Sequence, residues 1–278
     1  MNSTQPLIMV TNDDGIDSPG LHALVDALAD LGEVVIAAPT TQQTAQSRSM
    51  NGDRSVSFVR ADQRSWPEGV QGWHIAATPA LAVRHALAVL TPHRLPDLLV
   101  SGINYGENLG NNITISGTVG AAFQAAAQGV PALAVSRQTP MDYHYHYGDL
   151  DWNAAAGVTR RWVQRLLQVL PATLPLPFDV LKIDVPDPCP PGTEERFTRL
   201  SRQPYFISVM ENPSQTDPLS RARTAIQVDP QALDPGDDIY AVAVDRVVSV
   251  TPLTLDCTAS LADTVQLLKL KLDDSLLS

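Results

Sequence analysis

Cysteine is nearly absent from this 278-residue chain, which carries only Cys189 and Cys257. Two thiols far apart in sequence exclude a disulfide framework, fall short of a zinc-ligand pattern and fit a reducing compartment. Basic residues are also scarce, with 19 Lys and Arg against 30 Asp and Glu and a formal net charge of −11. That balance argues against duplex nucleic acid or an anionic membrane as partner, since both attract basic surfaces. No apolar run is long enough to cross a bilayer. Residues 1–6 lack a positive stretch, an apolar core and a cleavage site, so we expect no signal peptide and a cytoplasmic protein. No Gly-x-Gly-x-x-Gly follows the first apolar run, which removes the usual mark of a dinucleotide-dependent oxidoreductase. No internal repeat is visible.

What is present is enough apolar residue, 44%, for a sizeable core. Strand-like and helix-like segments alternate through the first half. Strands are expected at 7–10, 34–37, 55–60, 73–77, 98–101, 131–136 and 180–185. Helices are expected from Pro19, over 79–90, over 118–128 and over 152–170. This alternation predicts an α/β fold: a Rossmann-like, mostly parallel sheet flanked by helices. After Pro186 prolines punctuate short β-like runs, including 205–210 and 240–250, which favours edges and turns over central strands. We therefore divide the chain into a catalytic core, residues 1–186, and a hairpin-rich oligomerisation appendage, residues 187–278, ending in a helix over 260–272. On that helix Leu261, Val265, Leu268 and Leu272 make an apolar stripe suited to the chain's own core or to an oligomer contact.

Chemistry gathers at the expected carboxyl ends of strands. Thr11-Asn12-Asp13-Asp14-Gly15 sets two adjacent carboxylates after the first strand. Like charges resist burial side by side, so the pair is either a solvated turn or a site for a hard divalent cation. A polar loop, 40–53, supplies hydroxyls and amides that suit phosphate or metal contacts, or solvent. Ser101-Gly102-Ile103-Asn104 closes the strand at 98–101, and asparagine oxygens can ligate a hard metal without adding charge. Ser116-Gly117-Thr118 precedes the Ala-rich helix, where a hydroxyl caps the helix and backbone N–H groups offer a phosphate site. Tyr143-His144-Tyr145-His146-Tyr147 would put its histidines on one side of an extended strand. It could bind a metal, stack on a base or form a lid, and we read it as an aromatic loop against a neighbouring subunit. Convergence at one sheet edge favours a site over a set of independent turns.

Thr11-Asn12-Asp13-Asp14-Gly15, Ser101-Gly102-Ile103-Asn104, the 106–110 segment and Ser116-Gly117-Thr118-Val119 occur in order. Together with Ala38-Pro39, Pro131-Ala132-Leu133-Ala134-Val135-Ser136 and Ser249-Val250-Thr251-Pro252-Leu253, they closely resemble the SurE (survival protein E) family of metal-dependent 5′/3′-nucleotidases, also described as acid phosphatases. The resemblance covers essentially the whole chain. It implies a Rossmann-like core with a protruding, domain-swapped C-terminal region that builds homodimers or homotetramers. It implies one divalent metal ion per subunit, Mg²⁺ or Mn²⁺ with Ca²⁺ able to substitute in a crystal, held by Asp13, Asp14, Thr44 and Asn104. Asp13 and Asp14 are the expected catalytic residues, and Asn12, Asn108, Ser116, Gly117 and Thr118 the expected phosphate-binding ones. The implied substrate is a nucleoside monophosphate, hydrolysed by water; an aspartyl-phosphate ranks lower because a carboxylate committed to a metal is a poorer nucleophile. Threonine stands at 44 where the family usually has serine. Leu81 stands where the family keeps an aspartate in Gly-Thr-Pro-Ala-Asp-Cys-Val. These departures motivate the alternative of a catalytically weak or inactive nucleotide- or phosphate-binding paralogue.

Overall fold

A computed structural model describes residues 5–144, 146–173 and 175–268. The first apolar run forms β1 (Leu7–Thr11), buried along its whole length as expected for a strand covered on both faces. Pro19 opens α1 (Pro19–Leu28), whose Leu21, Leu24, Val25 and Leu28 make one buried stripe. There follow β2 (Glu33–Pro39), β3 (Val59–Arg60), β4 (Gln71–Ile75), α2 (Pro79–Val89), β5 (Leu98–Tyr105), α3 (Gly117–Ala126), β6 (Ala132–Arg137), α4 (Asn153–Thr173) and β7 (Val180–Val185). The last third adds β8 (Glu195–Phe197), β9 (Phe206–Val209), β10 (Arg223–Ile226), β11 (Val248–Leu253) and α5 (Leu261–Leu268).

One sheet takes the order β3-β4-β2-β1-β5-β6-β7-β11-β8 among the described residues, and β9 and β10 make a separate antiparallel ribbon. From β4 to β7 every pairing is parallel. Only the flanks turn: β3 is antiparallel to β4, and β11 is antiparallel to β7. Alternate residues of β1 serve two cores. Ile8 and Val10 pack with Leu21, Leu24 and Val163 on the face covered by α1 and α4. Met9 packs with Val83, Val119 and Ala122 on the face covered by α2 and α3. The chain runs from β1 outward to β2 and β4, then returns to β5 on the other side of β1. That reversal opens a crevice at the carboxyl ends of β1 and β5, where ligands bind in sheets of this kind.

The fold is the expected α/β one, with several differences of detail. The strand expected at 55–60 shrinks to Val59–Arg60, a two-residue edge. The strand expected to stop at Ser101 continues to Tyr105, because Asn104 and Tyr105 resume pairing with Ser136 and Arg137 after a register shift. The run expected as strand at 240–250 splits into a π-helical turn at Tyr240–Val244 and β11. Residues after 186 do not all stand apart: β8 and β11 extend the core sheet, and only the β9–β10 ribbon leaves it. On α5 Leu261 and Leu268 are exposed and Val265 is half-buried, while Leu272 lies outside the described residues.

Candidate active site

The turn after β1 is closed by Asn12. Its Nδ2 donates to the Gly15 carbonyl at 2.9 Å, and its Oδ1 accepts the Gly15 N–H at 3.2 Å. This turn tucks both aspartates into the crevice, where Asp13 is 6% and Asp14 2% exposed. Asp13 Oδ1 accepts the Thr118 hydroxyl at 2.5 Å. Asp14 Oδ2 accepts the Tyr105 N–H at 3.0 Å, and its Oδ1 accepts Gln42 Nε2 at 3.2 Å. Burial pushes the Asp13 carboxyl up to about 6 against these hydrogen bonds. Burial and then the Asp13 charge push Asp14 well above the usual carboxylate range. Neither carboxylate has a cationic partner among the described residues.

Asp13, Asp14, Thr44, Asn104, Asn108 and Ser116 line one cavity of about 210 Å³. Asn104 donates its amide N–H groups to the carbonyls of Gly106 at 2.7 Å and Tyr105 at 3.3 Å, which turns its oxygen the other way. Asn108 Nδ2 donates to Ser136 Oγ at 2.7 Å. Ser116 caps α3, accepting the Val119 N–H at 3.1 Å. Gly117 and Thr118 lie behind Asp13 rather than along the cavity, and their N–H groups face its carboxylate together with the Thr118 hydroxyl. The positive end of α3 thus stabilises Asp13 itself. Gly117 permits that approach, since a Cβ there would stand 2.6 Å from Asp13 Oδ2. Asn12, likewise, serves the turn and does not line the cavity.

The donor set suits a hard divalent cation. Two buried carboxylates lack a counter-charge, and a hydroxyl and an amide oxygen complete an all-oxygen set at low added charge. No group of three His, Cys, Asp or Glu side chains able to hold a metal occurs among the described residues. The fit therefore depends on the neutral oxygens of Thr44 and Asn104.

The aromatic run is neither an extended strand nor, in its ordered contacts, turned away from the site. Met141–His144 forms a 3-10 turn, and Tyr147 donates its hydroxyl to the Asp14 carbonyl at 2.7 Å. His144 lines the cavity, its ring lying against Gly106 and edge-on to Phe206 at 5.5 Å. Tyr145 lies outside the described residues. Through Met141 and Thr224 the cavity adjoins an outer groove of about 810 Å³ between Tyr143, His146 and Arg223. A larger cleft of about 1090 Å³ lies between α4 and the loop after β7, but its Arg161 and Arg165 are paired with Glu195 and it holds neither aspartate.

Further buried charged residues lie at or near the cavity. Glu107, which lines it, accepts the Tyr205 hydroxyl. Lys182 lies between Asp184 and Asp238. Burial alone would lower the lysine, but the two carboxylates hold it charged. A charged pair two residues apart in the apolar run 180–185 was the visible signal, since alternation puts both on one face of a strand.

An open, mostly parallel sheet with an acidic cavity at its reversal point defines an α/β protein of Rossmann-like architecture. The sequence model of the family described as Survival protein SurE matches residues 8–206. Proteins named 5′-nucleotidase SurE from Thermococcus kodakarensis and Methanocella arvoryzae are each 38% identical, over 91% of this chain and 93% of theirs. The crystal structure of the SurE protein from Aquifex aeolicus is similar with a TM-score of 0.72 and 28% identity, covering 95% of this chain and 100% of that one. The chain belongs to the SurE family.

Proposed function

We propose that the chain is a metal-dependent phosphomonoesterase that hydrolyses nucleoside monophosphates. The observation that carries this reading is the adjacent, buried Asp13 and Asp14, without a cation beside them and with Thr44 and Asn104 lining the same cavity. These four residues would hold one Mg²⁺ or Mn²⁺. When bound, the metal supplies positive charge that screens the phosphoryl group and acidifies water. Asn108 and Ser116, which line the same cavity, bind the phosphate's nonbridging oxygens. Thr118 and the N–H groups at the start of α3 fix the Asp13 rotamer, and Gln42 with the Tyr105 N–H fixes Asp14. His144 forms part of the cavity wall, and Tyr147 holds the Asp14 backbone beside it. About 210 Å³ suits a phosphate and its immediate surroundings, and the adjoining groove gives the nucleoside somewhere to lie. The relatives named 5′-nucleotidase SurE support a nucleotide as substrate.

Leu81 packs in an apolar cluster with Ile75, Ala77 and Phe58 and does not line the cavity. The departure at Leu81 therefore lies away from the cavity lining. A homodimer or homotetramer fits the β9–β10 ribbon, which joins no other strand among the described residues, and the exposed Leu219 and Ile226 on it and beside it; sedimentation equilibrium tests that. For the activity, purified protein is given nucleoside monophosphates with Mg²⁺ or Mn²⁺ and phosphate release is measured. Asp13→Asn and Asp14→Asn should each abolish metal-dependent release; full activity in either variant, or saturable binding without release by the wild type, overturns the reading.

A further inference from the structure

Lys182 and Asp184 are fully buried ions on one face of β7, as is Asp238 just before the π-helical turn. None of them touches the proposed chemistry directly. Lys182 Nζ contacts Asp184 Oδ2 and stands 3.1 Å from Asp238 Oδ2. Each carboxylate also holds the loop that follows β5. Asp184 Oδ1 accepts the N–H of Asn108 at 2.7 Å, and Asp238 Oδ2 accepts the N–H of Gly110 at 3.1 Å. Asp238 Oδ1 is itself fixed by the N–H groups of Ser201 at 3.0 Å and Ile239 at 2.9 Å. One cation thus joins two anions, and the two anions hold two amides on either side of Leu109.

Buried ions are poor stabilisers compared with apolar residues of the same volume, so a stability role alone explains this triad badly. Its geometry has a more specific effect. With its N–H tied to Asp184, Asn108 has its backbone set from beneath, while its side chain reaches Ser136 on β6 and the cavity wall. Take away the cation and two buried carboxylates face each other without a counter-charge, which drives them apart. The amides of Asn108 and Gly110 then move apart with them.

We propose that Lys182, acting through Asp184 and Asp238, is a positioning residue that sets Asn108 for the phosphate end of the substrate. The proposal rests on the phosphomonoesterase reading. It separates metal holding from phosphate holding: Asp13, Asp14, Thr44 and Asn104 lie outside the triad's hydrogen bonds, whereas Asn108 depends on them.

The test uses full-length protein with Mn²⁺ and inorganic phosphate as probe, with the Kd of each measured by calorimetry and folding checked by circular dichroism. In Lys182→Met, phosphate binding should weaken by about 10-fold or more, on the scale of lost outer-shell support, while Mn²⁺ affinity stays within about 2-fold. Adding Asp184→Asn should bring phosphate binding back to within about 3-fold of wild type, because the amide oxygen still accepts the Asn108 N–H and one carboxylate remains. An unchanged phosphate Kd in folded Lys182→Met, an equal loss of Mn²⁺ affinity, or no rescue in the double variant overturns the proposal. If Lys182→Met does not fold, Asp184→Asn is compared with Asp184→Ala. The first keeps the acceptor and should bind phosphate nearly normally; the second removes it and should bind about 10-fold more weakly. Equal Kd values for these two overturn the proposal. Wild-type protein that binds phosphate yet releases none from nucleotides overturns the catalytic reading alone, and wild-type protein that binds no phosphate overturns both.

Discussion

Adding one methyl group at Gly117 should damage the site far more than the fold. A Cβ there would stand 2.6 Å from Asp13 Oδ2, 2.7 Å from Asp13 Cβ and 3.0 Å from Asp13 Cγ. Carbon contacts are comfortable only near 3.5 Å, so aspartate or helix must move by roughly 0.8 Å. The Asp13 Cβ is anchored to the backbone, which closes the easy escape of rotating a flexible side-chain end. Overpacking of this kind costs about 1–3 kcal/mol. Alanine recovers about 0.5–1 kcal/mol of helix propensity at Gly117, the first residue of α3. The balance is a net loss of roughly 0–2.5 kcal/mol and a Tm lower by up to about 10 °C. A misplacement approaching 1 Å at a reacting centre costs on the order of 100-fold in rate. Gly117→Ala should therefore melt slightly early, bind Mn²⁺ more weakly and lose about 100-fold in kcat/KM for a nucleoside monophosphate. Thermal melts, Mn²⁺ titration and phosphate release measure the three quantities. Wild-type metal affinity and kcat/KM in this variant would refute the close approach of α3 to Asp13 as a determinant of the site.

Other perturbations have equally definite signs. Gly157 sits within α4 and a Cβ there would meet Arg161 Nη1 at an ordinary 3.7 Å, so Gly157→Ala should stabilise the protein by about 0.5–1 kcal/mol; a lower denaturant midpoint would contradict this. Burial holds the His144 imidazole below its ordinary value of 6.5, so the folded protein resists a proton that the unfolded chain takes up. Its contribution is intact above pH 6.5 and is lost as pH falls below it; relative to His144→Phe, the wild type should lose stability from pH 7 to 5, and parallel curves would contradict the burial argument. Tyr147→Phe removes the 2.7 Å hydrogen bond to the Asp14 carbonyl and should cost about 1 kcal/mol in urea unfolding, an unchanged midpoint being the contrary outcome.

The parallel core was legible because its strands are continuous apolar runs and its helices carry apolar residues at helical spacing. β1, α1 and β7 fall where periodicity puts them. The stretch at 240–250 was misread because a short apolar run looks alike in a buried strand and in a buried turn of helix. In the site, Asp13, Asp14, Thr44, Asn104, Asn108 and Ser116 were readable from motif and position, and one cavity brings them together. Asn12, Gly117 and Thr118 also make contacts that the sequence does not display, because hydrogen bonds within a turn or across 105 residues leave no local pattern. His144 was visible as part of an odd aromatic run, but which wall that run covers is fixed by long-range packing on Gly106 and Phe206.

The placement of β11 has a consequence for how the molecule is made. This strand, from the far end of the chain, caps the β7 edge, with Ser249 opposite Asp184 and Val250 opposite Ile183. Asp238 arrives just before it and gives Lys182 its second anion. Without β11 and Asp238 the β7 edge would be unpaired on that side, and the loop holding Asn108 would keep only Asp184 of its two carboxylate anchors. A cavity whose carboxylates follow β1 thus rests partly on contacts contributed by residues more than 200 positions further along the chain.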